Sequence, residues 1–254
     1  MPTLMEVRRL PGPPGKRETA LGIGVFDGLH CGHLALIAEV HRVALTRSLA
    51  PAALTFDPPP PDLWREDQFQ PLLSLEEKVE RFLELGIEVL FLLSFTPEIA
   101  AYPAGYFAER LLSWSRPAII VVGENFTYGW KGEGSPISLQ AIGQRLGFTV
   151  TVLPLLKDKA GTTISASWIR QLLLEGAVEQ ANTLLGSPYH AKFRAVGDNH
   201  GYELVDRKKI LPPNGRYTLR LRDGEEIEGV LYEGTLYLPV IVCERIGISF
   251  ISRL

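Results

Sequence analysis

The chain has 254 residues, of which 46% are hydrophobic and 22% charged, with a formal net charge of −3 and two cysteines. That is enough for one large domain, or a large one with a small companion, of ordinary globular texture. The charge balance excludes a global pull toward nucleic acid, and two isolated cysteines, Cys31 and Cys243, exclude a disulfide framework and argue against structural zinc. No apolar run approaches the roughly 18 to 20 residues of a membrane span, and the first residues lack the apolar stretch of a signal peptide, so a reducing cytoplasm is the expected compartment. Along the chain, PGPPG at 11–15 reads as a surface loop, because it can hold neither a helix nor a ladder. The short apolar run 20–25 reads as a buried strand. The spacing of Leu36, Ile37, Val40, Val43 and Ala44 predicts a helix over 33–49. A second strand, 52–56, ends at the prolines 58–61. Ser74 and Glu77 have the spacing of a capping box, opening a helix that stops near Gly86. Strands are expected at 87–93, 118–122 and 148–153, with helices at 103–115 and 138–146 between them. Strands alternating with helices predict a doubly wound parallel α/β sheet, Rossmann-like in class. Beyond this the texture changes. The stretch 217–238 alternates, with turn signals at Asp223-Gly224 and Glu233-Gly234, and predicts antiparallel hairpins. The expected organisation is a domain over 1–186 and a small antiparallel β domain over 187–254.

Four segments carry chemistry. The first is GVFDGLHCGH, residues 24–33, which follows a strand and opens a helix. In a doubly wound sheet this is the crevice at a strand's carboxyl end, where ligands bind. Gly24 and Gly28 let backbone approach a ligand, and the helix start offers N–H groups and a positive dipole end to phosphate. His30 and His33 can face one phosphate chain. With Cys31 between them they also have the makings of a partial metal site, but the strand–glycine–helix context favours phosphate.

The second segment is TFDPPP, residues 55–60. A strand running into prolines makes a stiff wall, and Phe56 either belongs to the core or lies against an aromatic ligand. The third is VVGENFTYG, residues 121–129, at another strand end. Asn125 can both donate and accept, and Phe126 and Tyr128 supply ring faces; the bland alternative is a glycine-rich connection with two half-buried aromatics. The fourth is TISASWIR, residues 163–170, before an apolar helix that stops at Gly176. Ser165 and Ser167 either cap that helix or, with Arg170, grip phosphate.

Taken together, these segments resemble the FAD synthetase family, the flavin branch of the HxGH nucleotidyltransferases. Gly24 to His33 is similar to its G-x-FDG-x-H-x-GH signature, TFDPPP to F-x-P-x-P, VVGENFTYG to VVG-x-(D/N)-F-x-(F/Y)-G, and TISASWIR to I-S-S-T-x-I-R, with Ala166 in place of the second serine. GAVEQANTLLGSPY at 176–189 resembles a further family stretch. The resemblance covers about residues 20–190 and implies an enzyme joining FMN to the AMP part of ATP, with magnesium accompanying the triphosphate and FAD as product. It places Gly24, Phe26, Asp27, Gly28, His30, His33, Ser165, Ser167 and Arg170 at ATP. It places Phe56, Pro58, Pro60, Asn125, Phe126 and Tyr128 at the flavin, with His30, His33, Asn125 and Arg170 as the catalytic set. No dedicated protein metal site, nucleic acid or membrane is implied.

Bacterial relatives usually carry a second, β-barrel domain that phosphorylates riboflavin. LGSPYHAKFRAVGDNHGYEL resembles the opening of that barrel, but no G-x-PT-x-N motif follows: the chain passes from VDRKKILPP to NGRYTLRL. The implication is a shortened kinase-like domain without kinase activity, docked as a small cap. Two other readings are compatible with the residues: a non-catalytic flavin or nucleotide sensor, and an HxGH enzyme for a different phosphorylated substrate.

Overall fold

Six parallel strands form one sheet: β1 (Glu6–Leu10), β2 (Thr19–Ile23), β3 (Ala50–Phe56), β4 (Val89–Leu93), β5 (Pro117–Gly123) and β6 (Thr149–Leu153), in the order β1-β4-β3-β2-β5-β6. The structure is a computed structural model that describes residues 5–13, 15–57, 59, 70–197, 200–239 and 243–254. The central strands are largely apolar because both faces of a wound parallel sheet are covered; every residue of β2 and β4 is buried. α1 (Cys31–Arg47), α2 (Leu75–Glu84), α3 (Pro97–Ala100), α4 (Ala104–Ser115) and α5 (Pro136–Leu146) alternate with the strands, which is the expected doubly wound α/β arrangement. The helix read over 33–49 starts two residues earlier, so that His33 lies in its first turn. The strand order reverses direction at β2: β3 and β4 lie to one side, β5 and β6 to the other. The crevice between the carboxyl ends of β2 and β5 is therefore the topological switch point.

Residues 157–254 open with α6 (Ala166–Glu175) and α7 (Val178–Leu185) and continue into a closed antiparallel barrel. Its strands are β7 (Tyr189–Val196), β8 (Gly201–Leu204), β9 (Gly215–Arg220), β10 (Glu226–Tyr232), β11 (Thr235–Tyr237) and β12 (Arg245–Arg253), in the cyclic order β10-β11-β8-β7-β12-β9. The expected hairpins are β9–β10 and β10–β11. The second turns at Glu233 and Gly234, both with positive φ (48° and 80°), as a two-residue type I′ turn requires. Closure removes the exposed edges that an isolated pair of hairpins would present.

By packing, the chain forms two compact units, and they are not contiguous in sequence. One comprises Met1–Phe26, Gly32–Asp67 and Leu75–Leu156; the other comprises Asp27–Cys31, Gln68–Ser74 and Lys157–Leu254. The change of texture at 186/187 marks where helices give way to barrel strands. The second packing unit extends further because Ile169, Leu172, Leu173, Val178 and Ala181 of α6 and α7 share one buried cluster with Tyr189, Phe193, Tyr217 and Phe250 of the barrel. Asn182 binds α7 to the barrel, donating to Phe250 O (2.8 Å) and Ile251 O (3.2 Å) and accepting from Tyr189 N (2.7 Å). No helix among the described residues is long and apolar enough to cross a membrane.

Candidate active site

In the first unit, β2 and β5 run side by side with Gly22 opposite Val121, so Gly24 and Gly123 leave the sheet at the same level. Gly24 N still donates to Leu54 O (3.1 Å). One residue on, Val25 O accepts from Thr55 Oγ1 (2.8 Å) and from the buried ammonium of Lys78 (2.9 Å). Phe26 then takes a positive φ of 51° and is fully buried, edge-on to Phe82 (5.2 Å) and to the ring of His33 (5.2 Å). A non-glycine residue in the left-handed region persists only where its surroundings hold it there. The packing of Phe26 supplies that hold and backs the imidazole of His33. Its ring is therefore a wedge behind His33.

At the end of β5, Asn125 is exposed, Glu124 accepts from Leu155 N (2.9 Å), and Phe126 stacks on Tyr128 (5.7 Å, 13° between planes). Tyr128 is only 5% exposed, with its hydroxyl 3.1 Å from Ser138 Oγ. Burial raises its pKa. Asn125 and a half-buried Phe126 thus stand at the carboxyl end of β5, with the buried Tyr128 packed against Phe126. Phe56 is half-buried at the end of β3, edge-on to Phe95 (5.8 Å). Asp57 pairs with Arg9 (3.1 Å). Pro58 and Pro60 lie outside the described residues.

The second unit holds the rest. Asp27 is 3% exposed. Its Oδ1 accepts from Leu72 N (2.9 Å) and Leu73 N (3.2 Å), and its Oδ2 lies 2.6 Å from Nη2 of Arg170. Gly28 has a φ of +79°, and a Cβ there would lie 2.7 Å from Leu72 Cδ1, so only glycine fits both the turn and the packing. His30 follows, 6% exposed. Burial pushes its pKa down to about 4, against a smaller upward pull from a hydrogen bond with its own backbone, so it is neutral at pH 7. Ser165 caps α6, its side chain accepting from Trp168 N (3.3 Å), and Ser167 is exposed in the first turn. Neither α1 nor α6 has an acidic residue in its first turn.

Comparison with known proteins bears directly on these motifs. The family model described as FAD synthetase matches residues 13–167, more than half of the chain. The chain belongs to the FAD synthetase family. It is similar to the bifunctional riboflavin kinase/FMN adenylyltransferases of Bacillus subtilis (31% identity, 85% of this chain and 70% of the relative) and Escherichia coli K12 (32%, 85% and 72%). The Listeria monocytogenes protein of the same name is 31% identical over 80% of this chain and 67% of its own length. Among solved structures, the crystal structure of a macrolide-efflux protein from Streptococcus pneumoniae superposes with a TM-score of 0.84 at 22% identity, covering 99% of this chain and 91% of that one. At that identity it speaks to the fold alone.

For this member of the FAD synthetase family, sequence reasoning missed one group and one pairing that shape the candidate site. Lys78 sits beside Glu77 on an amphipathic helix and has the sequence signature of a surface charge, yet it is 7% exposed and braces the carbonyl that begins the FDG turn. The partner of Asp27 lies 143 residues away, a separation at which no local pattern signals a pairing.

Proposed function

We propose that this FAD synthetase family member is an FMN adenylyltransferase, making FAD and pyrophosphate from FMN and MgATP. The observation that carries the reading is the turn after β2: three positive-φ residues, Phe26, Gly28 and Leu29, lead into a helix whose start carries His30 and His33 and no acidic side chain. Such a turn suits a triphosphate, because it offers backbone N–H groups, a positive dipole end and two imidazole donors together. Asn125 and Phe126 at the end of neighbouring β5, with Phe56 at the end of β3, suit the edge and face of a flavin ring.

In the reaction, an oxygen of the FMN phosphate forms a bond to the α-phosphorus of ATP. The bond from that phosphorus to its bridging oxygen breaks, and pyrophosphate leaves with the electron pair. The attacking oxygen is already anionic, so positioning and charge stabilisation supply the catalysis. His30, held neutral by burial, donates a hydrogen bond as an uncharged group, and His33 does so from the first turn of α1. The hydroxyl of Ser165, although it accepts from Trp168 N, keeps its proton for a phosphate oxygen, and Ser167 adds a second. No cluster of three or more His, Cys, Asp or Glu side chains suited to a metal occurs among the described residues. Magnesium would arrive on the triphosphate and keep most of its water.

The proposal extends to the absence of riboflavin kinase activity. Its support is the segment 205–214, VDRKKILPPN, which joins β8 to β9 without a G-x-PT-x-N motif. Product chromatography tests both parts. FMN with ATP and magnesium yields FAD, while riboflavin with ATP and magnesium yields no FMN. A tube in which FMN is consumed by neither route, or in which riboflavin is phosphorylated, overturns the corresponding part.

A further inference from the structure

The motif resemblance places Arg170 at the triphosphate, but its side chain is only 13% exposed and its guanidinium is engaged elsewhere. Nη2 meets Asp27 Oδ2 at 2.6 Å, and Nε donates to Gln70 O at 3.0 Å. Asp27 in turn holds Leu72 N and Leu73 N through its other oxygen. One ion pair thus fixes residues 70–73 at three backbone points. Leu72, so fixed, is completely buried and forms the surface on which Gly28 closes. Leu29, also with positive φ (42°) and 1% exposed, completes the turn, and His30 comes next. A carboxylate at 2.6 Å also cancels most of the field that the guanidinium would project onto a phosphate, because at longer range the pair acts as a dipole.

We infer that Asp27 and Arg170 act as positioning residues for His30. Arg170, on the second turn of α6, locks Asp27; Asp27 locks Leu72 and Leu73; and these set the turn that aims the His30 imidazole. The helix presenting Ser165 and Ser167 and the turn presenting His30 are thereby braced into one piece. This inference rests on the adenylyltransferase reading, and its test is built so that the two can fail separately.

The test compares Asp27→Asn, Arg170→Ala, Arg170→Lys and the double variant Asp27→Asn/Arg170→Ala in the full chain. A positioning pair predicts that Asp27→Asn and Arg170→Ala each lower kcat for FAD formation by about 10- to 100-fold, with the KM for ATP within about threefold of wild type. The double variant should be no slower than the slower single one, because both remove the same brace. Arg170→Lys keeps a charge opposite Asp27 and should recover part of kcat. Amide exchange at Leu72 and Leu73 should accelerate in Arg170→Ala although Asp27 is intact. The inference is overturned if Arg170→Ala raises the KM for ATP tenfold or more while Asp27→Asn leaves kcat at the wild-type value, or if the two losses multiply. If wild type makes no FAD, the adenylyltransferase reading fails, and the exchange measurement decides the brace alone: unchanged protection at Leu72 and Leu73 in Arg170→Ala sinks it. If Asp27→Asn does not fold, Arg170→Ala against Arg170→Lys makes the same comparison.

Discussion

The sheet and the barrel treat their polar groups in opposite ways. Where the sheet strands end, Asn125 and Glu124 stand exposed on a loop, and the first turn of α1 carries no acidic group to neutralise it. In the barrel the buried hydroxyls are consumed internally: Tyr189 donates to Ile210 O (2.8 Å) and Tyr217 to Pro213 O (2.6 Å), with both rings in the core. The first pattern leaves polar groups such as the Asn125 amide at the surface, and the second uses them to stabilise the fold. Polar residues in the barrel should therefore register in stability, and those at the strand ends in chemistry.

The sharpest way to break that division is Tyr217→Ala. It empties a fully buried site and removes a hydrogen bond, and should cost about 3 to 5 kcal/mol of stability. In denaturant melts the variant unfolds early, while kcat per folded molecule stays at the wild-type value; a large fall in kcat would show that the barrel contributes to the chemistry. Next comes pH. The folded pKa of His30 is about 4 against an ordinary value of 6.5. The unfolded chain therefore binds the extra proton first as pH falls, and stability declines from about pH 6.5 to pH 4, by about 3 kcal/mol from this group. His30→Asn should flatten that part of the stability profile and lower turnover at pH 7. A profile identical to wild type would remove the burial argument.

His33→Ala should reduce FAD formation by about 10²-fold, the usual loss for one donor at developing charge, while leaving the melting midpoint close to wild type. Full activity in a folded variant would mean that the triphosphate lies elsewhere. The smallest effect expected is from Asn182→Ala, which strands two carbonyls and one N–H and should cost about 1 to 3 kcal/mol without changing kcat.

What could be read from the sequence follows from how each region encodes itself. The sheet strands β2 to β5 are short, mostly apolar runs because both faces are covered, and α1 shows its face through Leu36, Ile37, Val40, Val43 and Ala44. β1 escaped notice because it is an edge strand: Arg8 and Arg9 interrupt any apolar run. α7 escaped too, since Ala177 at its N-cap makes no side-chain bond to announce a start. At the candidate site, spacing singled out His30, His33 and Asn125, whose placement at strand and helix ends depends on local backbone. The burial of Phe26 and Tyr128 could not be read that way, because whether an aromatic ring is exposed or joins a core depends on neighbours such as Phe82 and Phe107 that are remote in sequence. The Asp27–Arg170 pair was beyond reach for the same reason.

The interleaving of the two packing units has a consequence for anyone dissecting this molecule. Cutting the chain at 156/157 would leave α6, α7 and the barrel without two segments that pack with them, Asp27–Cys31 and Gln68–Ser74. Arg170 would lose its counter-ion, and the helical layer would lose Leu72 from its apolar cluster. A fragment beginning at 157 is thus an incomplete solid, and recombining halves from different homologues at that junction would mismatch an ion pair that no inspection of the junction itself reveals.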